Sequence, residues 1–225
     1  MKNFNLLFLV IGVIMITSCL GCNTGGKNPH SVNPNGIELS VEPGPNWVGK
    51  RKFFIFSLKR TPQMAAWVED SQGNYISTII VTNKNAKKKW LSAPKEGRPE
   101  ALPVWNYKIQ NNTIEIDTVS AATSKGAVDV QIDNGSLING QEYSVYLEIN
   151  FAFDYNEFWT EANSGVNGQP SLIYQGKFTQ GTSGKIKLIP IGHGSIDGSD
   201  GNIVNELDSF TTALTIINDA YIIVN

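Results

Sequence analysis

Apolar residues fall in short runs that alternate with polar ones, the period-two signature of strands with one buried face. Val128, Val130 and Ile132 alternate with Asp129, Gln131 and Asp133, and Val145, Leu147 and Ile149 repeat the pattern. Phe53–Leu58, Met64–Glu69 and Tyr75–Val81 are rich in aromatic and β-branched residues. Between the last two, Asp70-Ser71-Gln72-Gly73-Asn74 predicts a hairpin turn. Ile114–Asp117, Leu172–Tyr174, Ile186–Ile191 and Tyr221–Val224 supply further strands. Spacing of this kind predicts a mostly β chain folded as a single antiparallel β-sandwich over residues 37–225. One segment departs from it: Leu207, Phe210, Leu214 and Ile217 share a face at helical spacing and predict one short C-terminal helix.

The first apolar run has a different character. After Met1-Lys2-Asn3, residues Leu6 to Ile16 are almost unbroken hydrocarbon, too short and too early for an ordinary membrane span, and they read as a signal peptide over residues 1–18. It ends in Ile16-Thr17-Ser18-Cys19, an aliphatic residue and two small ones before a cysteine, the pattern at which exported lipoproteins are cut and lipidated. Cys19 is the expected lipid site, with Cys22, preceded by Gly21, as the alternative. Residues 19–36, rich in Gly, Asn, Pro and Ser, form a tether. The expectation is an extracytoplasmic protein, lipid-anchored to a bacterial membrane at the periplasm or cell surface.

Composition narrows the chemistry. The chain has 225 residues and a net charge of -2, so it offers no basic field for nucleic acid, and a nucleic-acid partner is not expected. Both cysteines precede the domain, which must therefore be stabilised by burial rather than by disulfides. His30 lies in the tether, leaving His193 as the domain's only histidine for general-base or metal-ligand work. No HExxH, GxxxxGK[ST] or GxGxxG motif occurs. The segment 192–202 carries Asp197, Ser199, Asp200 and Asn202 among glycines but lacks the spacing and closing glutamate of a calcium loop, and it reads as a glycine-rich turn.

One heptapeptide stands apart: Asp117-Thr118-Val119-Ser120-Ala121-Ala122-Thr123. It resembles the acceptor motif of bacterial flavin transferases, in which Asp, two variable residues, Ser or Thr, a small residue, Ala and Thr precede attachment of FMN by a phosphoester to the last hydroxyl. Asp117, Ser120, Ala122 and Thr123 match; Ala121 replaces the usual Gly or Ser. The resemblance implies FMN on Thr123. Lying between alternating runs, the motif is expected on a surface connection. Trp105, after a Pro-Val turn, is the first candidate to pack near the flavin. Trp47, Trp67, Trp90 and Trp159, with Tyr155 and Phe158, are either a stacking platform or core, Trp67 being expected in the core.

Longer stretches add a second resemblance. Residues Pro62–Asp70, Gly73–Thr78, Arg98–Trp105, Gly192-His193-Gly194 and Leu207–Ala213 resemble segments of a family of predicted periplasmic proteins of unknown function. The genes of that family accompany flavin transferases and PepSY-type membrane reductases. This implies two partners, a flavin transferase and a membrane-bound reductase, and an electron carrier rather than an enzyme. The Trp67–Thr78 hairpin is also similar to the immunoglobulin-like module of flagellar hook-capping proteins, which implies an immunoglobulin-like sandwich in a non-catalytic structural or binding role.

Overall fold

In the computed structural model of the protein, residues 36–53, 56–88, 95, 97–110, 120–121 and 126–225 are described, with the backbone alone considered for 50–53, 56–59 and 120–121. Cys19, Cys22, the signal peptide, Trp90, Ile114–Asp117, Ala122 and Thr123 lie outside them. Residues 33–225 form one compact unit.

Two sheets make a β-sandwich. The four-stranded sheet contains β1 (Ile37–Pro43), β7 (Val128–Ile132), β10 (Gly184–Lys187) and β12 (Ile217–Val224) in the order β10-β12-β1-β7, all antiparallel. The larger sheet holds β4 (Gln63–Asp70), β5 (Tyr75–Thr82), β6 (Ser120–Ala121), β8 (Glu142–Asn150), β9 (Leu172–Thr179) and β11 (Ile189–His193) in the order β11-β9-β8-β4-β5-β6. Its pairs are antiparallel except β6, which joins the edge parallel to β5. A separate antiparallel pair, β2 (Gly49–Phe53) with β3 (Phe56–Arg60), accounts for the remaining strands among the described residues.

Strand patterning explains the main core. Ile37, Leu39 and Val41 of β1 and Val128 and Ile132 of β7 point inward. They meet Met64, Ala66, Val68, Val145, Leu147 and Ile149 of the larger sheet. The opposite face of the smaller sheet is polar: Ser40 donates to Asp129 at 2.6 Å and Gln131 to Glu38 at 2.7 Å, while Lys187 pairs with Asp219. At the hairpin between β4 and β5, Asp70 Oδ1 accepts from the Gln72 and Asn74 N–H groups, and Gly73 takes φ 81°, a left-handed turn that favours glycine.

The larger sheet is covered on both faces. Its second face carries a smaller cluster, Ala65, Trp67, Val81, Leu102, Val104, Trp105 and Ile173, beneath the helix α2 (Pro103–Ile109), which follows the single turn α1 (Asn83–Ala86). Burial on both faces is why β4 is a continuous apolar run instead of an alternating one.

Three expectations change in detail, and two elements are new. The run Phe53–Leu58 is not one strand: Phe53 ends β2 and pairs with Phe56, which opens β3. The run Ile186–Ile191 divides at the buried Leu188, where the chain crosses from the four-stranded sheet to the six-stranded one. The C-terminal helix shrinks to a 3-10 turn, Thr212–Thr215; Leu214 is exposed and Ile217 opens β12, because pairing with β1 satisfies the backbone from there on. Residues 37–43, only joined to the domain by length in the sequence, are β1, one of the two inner strands of their sheet, and α2 was not foreseen.

Candidate functional site

The outer face of the six-stranded sheet gathers most of the buried polar chemistry. Four cross-strand pairs run along it from one end to the other: Gln63 with Asn150, Ala65 with Glu148, Trp67 with Tyr146, and Glu69 with Ser144. α2 lies over the middle of this row. With seven residues it is too short to persist in isolation, so tertiary contacts must hold it.

Those contacts are acidic at both ends. Pro103 occupies the first turn, where its missing N–H costs nothing. The next two N–H groups reach Glu148, Val104 N at 3.3 Å from Oε1 and Trp105 N at 2.8 Å from Oε2. Ser171 Oγ donates to Oε1 at 2.6 Å. Glu148 thus caps the helix from another strand, its charge facing the positive end of the helix dipole. Toward the other end, Lys108 Nζ stands 2.9 Å from Glu69 Oε1, which also accepts the Trp67 indole N–H at 2.7 Å. Trp67 stacks on Tyr146 with ring centroids 5.3 Å apart, and burial, then the Glu69 charge, raises the Tyr146 phenol above its ordinary range.

Glu148 is fully enclosed. Burial pushes its carboxyl up from 4.5 to about 7, against the Ser171 hydroxyl and the Trp105 and Val104 N–H groups, all of which favour the charged form. Gly194 closes the same space: a Cβ there would stand 2.5 Å from Pro103 Cγ, 2.7 Å from Ser171 Oγ and 3.2 Å from Glu148 Oε1. The Gly192-His193-Gly194 segment therefore has a packing reason for its second glycine.

Trp105 belongs to this layer. It is 1% exposed and donates its indole N–H to Thr78 Oγ1 at 3.0 Å, so it presents no open face on which a flavin could stack. Trp47, Trp67 and Trp159 are buried as well, whereas Phe158 is exposed and Tyr155 borders on it. His193 is built into an aromatic cluster with Trp159 and Phe210, ring centroids 5.9 and 5.2 Å away, and its Nδ1 lies 2.8 Å from the Gly194 carbonyl, to which it donates in the tautomer protonated there. In the segment 192–202, Asp197 and Asp200 accept from the Ser199 and Asn202 N–H groups in local turns. Among the described residues no group of three or more His, Cys, Asp or Glu is positioned to hold a metal ion.

Of the heptapeptide, Ser120 and Ala121 are described as backbone. They form β6, in register with Val81 and Thr82 at the edge of the sheet. Asp117, Ala122 and Thr123 lie outside the described residues. Next to β6 sits a cluster absent from the sequence reading: Thr82 Oγ1 donates to Gln63 Oε1 at 2.9 Å, and Asn85 Nδ2 lies 3.1 Å from the same oxygen and 3.0 Å from Thr82 Oγ1. A second missed network joins Gln169, 1% exposed, to Asp154 Oδ2 at 2.8 Å, Thr212 Oγ1 at 2.6 Å and the Thr211 N–H at 2.7 Å. Burial raises the Asp154 carboxyl, opposed by the Thr212 hydroxyl and the Arg60 charge. The continuous apolar run of β4 was the one sequence signal that its outer face is covered; nothing marked Glu148 or Gln169.

Comparison of the chain with family models, with curated proteins and with solved structures finds no match in any of the three.

Proposed function

We propose that the protein is an extracytoplasmic lipoprotein, anchored through Cys19 or Cys22, that carries FMN as a phosphoester on Thr123 and relays electrons between a membrane-bound reductase and an acceptor outside the cytoplasm. The observation that carries the reading is the heptapeptide Asp117–Thr123, four of whose defining positions match an FMN acceptor motif. The position of Ser120 and Ala121 supports it, since among the described residues they form the edge of their sheet, where a modifying enzyme could approach. The bound isoalloxazine would supply the redox chemistry. The chain's part is to present the Thr123 hydroxyl and to hold the ring on a rigid sandwich. Trp105, buried in the layer beneath α2, supports that scaffold.

The test is the intact mass of the chain after coexpression with a flavin transferase, beside Thr123→Ala. An increase equal to FMN less water, lost in the variant, is expected; no increase in either overturns the reading. That second result favours a non-catalytic structural or binding lipoprotein. The observation on its side is that Glu148, His193, Trp105 and Trp159 are all buried and engaged in packing.

A further inference from the structure

The connection between β8 and β9, residues 151–171, is tied to itself and yet keeps aromatic surface in water. Asn156 Oδ1 accepts from the Phe158 and Trp159 N–H groups at 3.0 and 2.7 Å, Asn163 Nδ2 donates to the Phe158 carbonyl at 2.7 Å, and Tyr155 Oη donates to the Gly165 carbonyl at 3.0 Å. So held, Phe158 is 59% exposed, Val166 41% and Tyr155 37%. Folding gains little from apolar surface that stays wet. Rings already fixed in place lose little freedom when a partner covers them, which is the character of interface anchors.

Charge identifies the partner. Residues 151–176 hold Asp154, Glu157 and Glu161 and no Lys or Arg; residues 188–225 hold Asp197, Asp200, Glu206, Asp208 and Asp219 and likewise no Lys or Arg. The two segments are joined, since Asn156 Nδ2 donates to the Ser209 carbonyl at 2.9 Å and Trp159 packs on Phe210, so the exposed Glu157 and Asp208 flank one junction. The β2–β3 ribbon has the opposite charge. Lys50, Arg51, Lys52, Lys59 and Arg60 fall within residues 43–68, a stretch with no Asp or Glu. The foot of the ribbon stands against the loop of its own chain: a Cβ at Gly49, the partner of Arg60 in the ladder, would collide with the Phe151 ring, and the Arg60 guanidinium stacks 5.2 and 5.0 Å from the Phe151 and Phe153 centroids. Lys52, opposite Ser57, lies three positions farther along, about 10 Å at the rise of a strand. A cationic ribbon beside an acidic, aromatic loop is complementary to itself after a half-turn, each ribbon meeting the other copy's loop. We propose that the protein pairs with a second copy of itself in this way, the β2–β3 ribbon of each copy docking on the loop 151–171 of the other, with Phe158 as the apolar anchor and Glu157 and Asp208 meeting the ribbon's charge. The pairing does not depend on the flavin reading.

The experiment is sedimentation velocity of residues 33–225, which contain every described strand and both hydrophobic clusters, over a range of concentration and salt. Wild type is expected to approach twice its monomer mass at low salt and to return toward monomer at high salt, where exposed charges are screened. Phe158→Ser, Glu157→Lys and Lys52→Glu, each checked for folding by circular dichroism, should each weaken the dimer about tenfold or more. Mixing Glu157→Lys with Lys52→Glu should restore association, because one of the two contacts then has its charges exchanged and the other is that of wild type. A wild type that stays monomeric at every concentration overturns the proposal and leaves the loop to a different cationic protein. A dimer that none of the three substitutions weakens overturns it as well, and so does a mixture that associates no better than either variant alone.

Discussion

Replacing Glu148 with Gln separates the burial of this carboxyl from its capping of α2. In the folded chain the group titrates near 7 instead of 4.5, because no water reaches it, so between these values the folded state holds a proton that the unfolded state releases. Stability therefore falls as pH rises through this window, and the contribution of this group is level above it. The rise from 4.5 to about 7 spans 2.5 pH units, and at about 1.4 kcal/mol each it corresponds to roughly 3 kcal/mol. Gln has no such proton. The stability of wild type minus that of Glu148→Gln should fall by roughly this amount from about pH 4.5 to 7. Urea denaturation of residues 33–225 across that range measures it. A difference that does not change with pH refutes the reasoning and means that the two helix N–H groups and the Ser171 hydroxyl fully offset the loss of hydration. In the protonated folded state one oxygen becomes a donor, and Ser171 is the partner able to turn and accept from it. Ser171→Ala should then move the midpoint of the dependence.

Other perturbations test the remaining contacts. Gly194→Ala drives a methyl against Pro103, Ser171 and Glu148 and should cost about 1–3 kcal/mol by thermal denaturation, with loss of near-ultraviolet signal from Trp105. Lys108→Ala removes the cation beside buried Glu69 and should cost about 1 kcal/mol, modest because Lys108 is 30% exposed; a denaturation midpoint that does not move would show that the Trp67 indole alone suffices for Glu69. Gln169→Ala strips partners from Asp154, Thr212 and the Thr211 backbone and should cost about 3 kcal/mol; hydrogen exchange at the Thr211 amide should quicken, and an unchanged rate would contradict the network.

The sequence by itself determined the strands whose two faces differ. Val128–Ile132 and the alternating half of Glu142–Asn150 announce themselves because each inward side chain is two residues from the next, and the Asp70–Asn74 turn because its carboxylate and glycine act locally. The resemblance of Asp117–Thr123 to an acceptor motif is local in the same way, since such a motif consists of consecutive residues. What depends on distant partners was not readable. Ile186–Ile191 is apolar throughout, and only the positions of β12 and β9 decide that it must split at Leu188 to serve two sheets. Leu207, Phe210, Leu214 and Ile217 satisfy a helical period, yet β1 offers Ile217 and the residues after it a ladder that a helix would forgo. Glu148 reads as the wet side of a strand; α2, more than forty residues away, buries it and turns it into a cap. Trp105, equally available in sequence to a ligand or to a core, was assigned to the core by that helix and by Thr78. Periodicity reports which residues share a face, but whether water or another layer meets that face is set by tertiary packing.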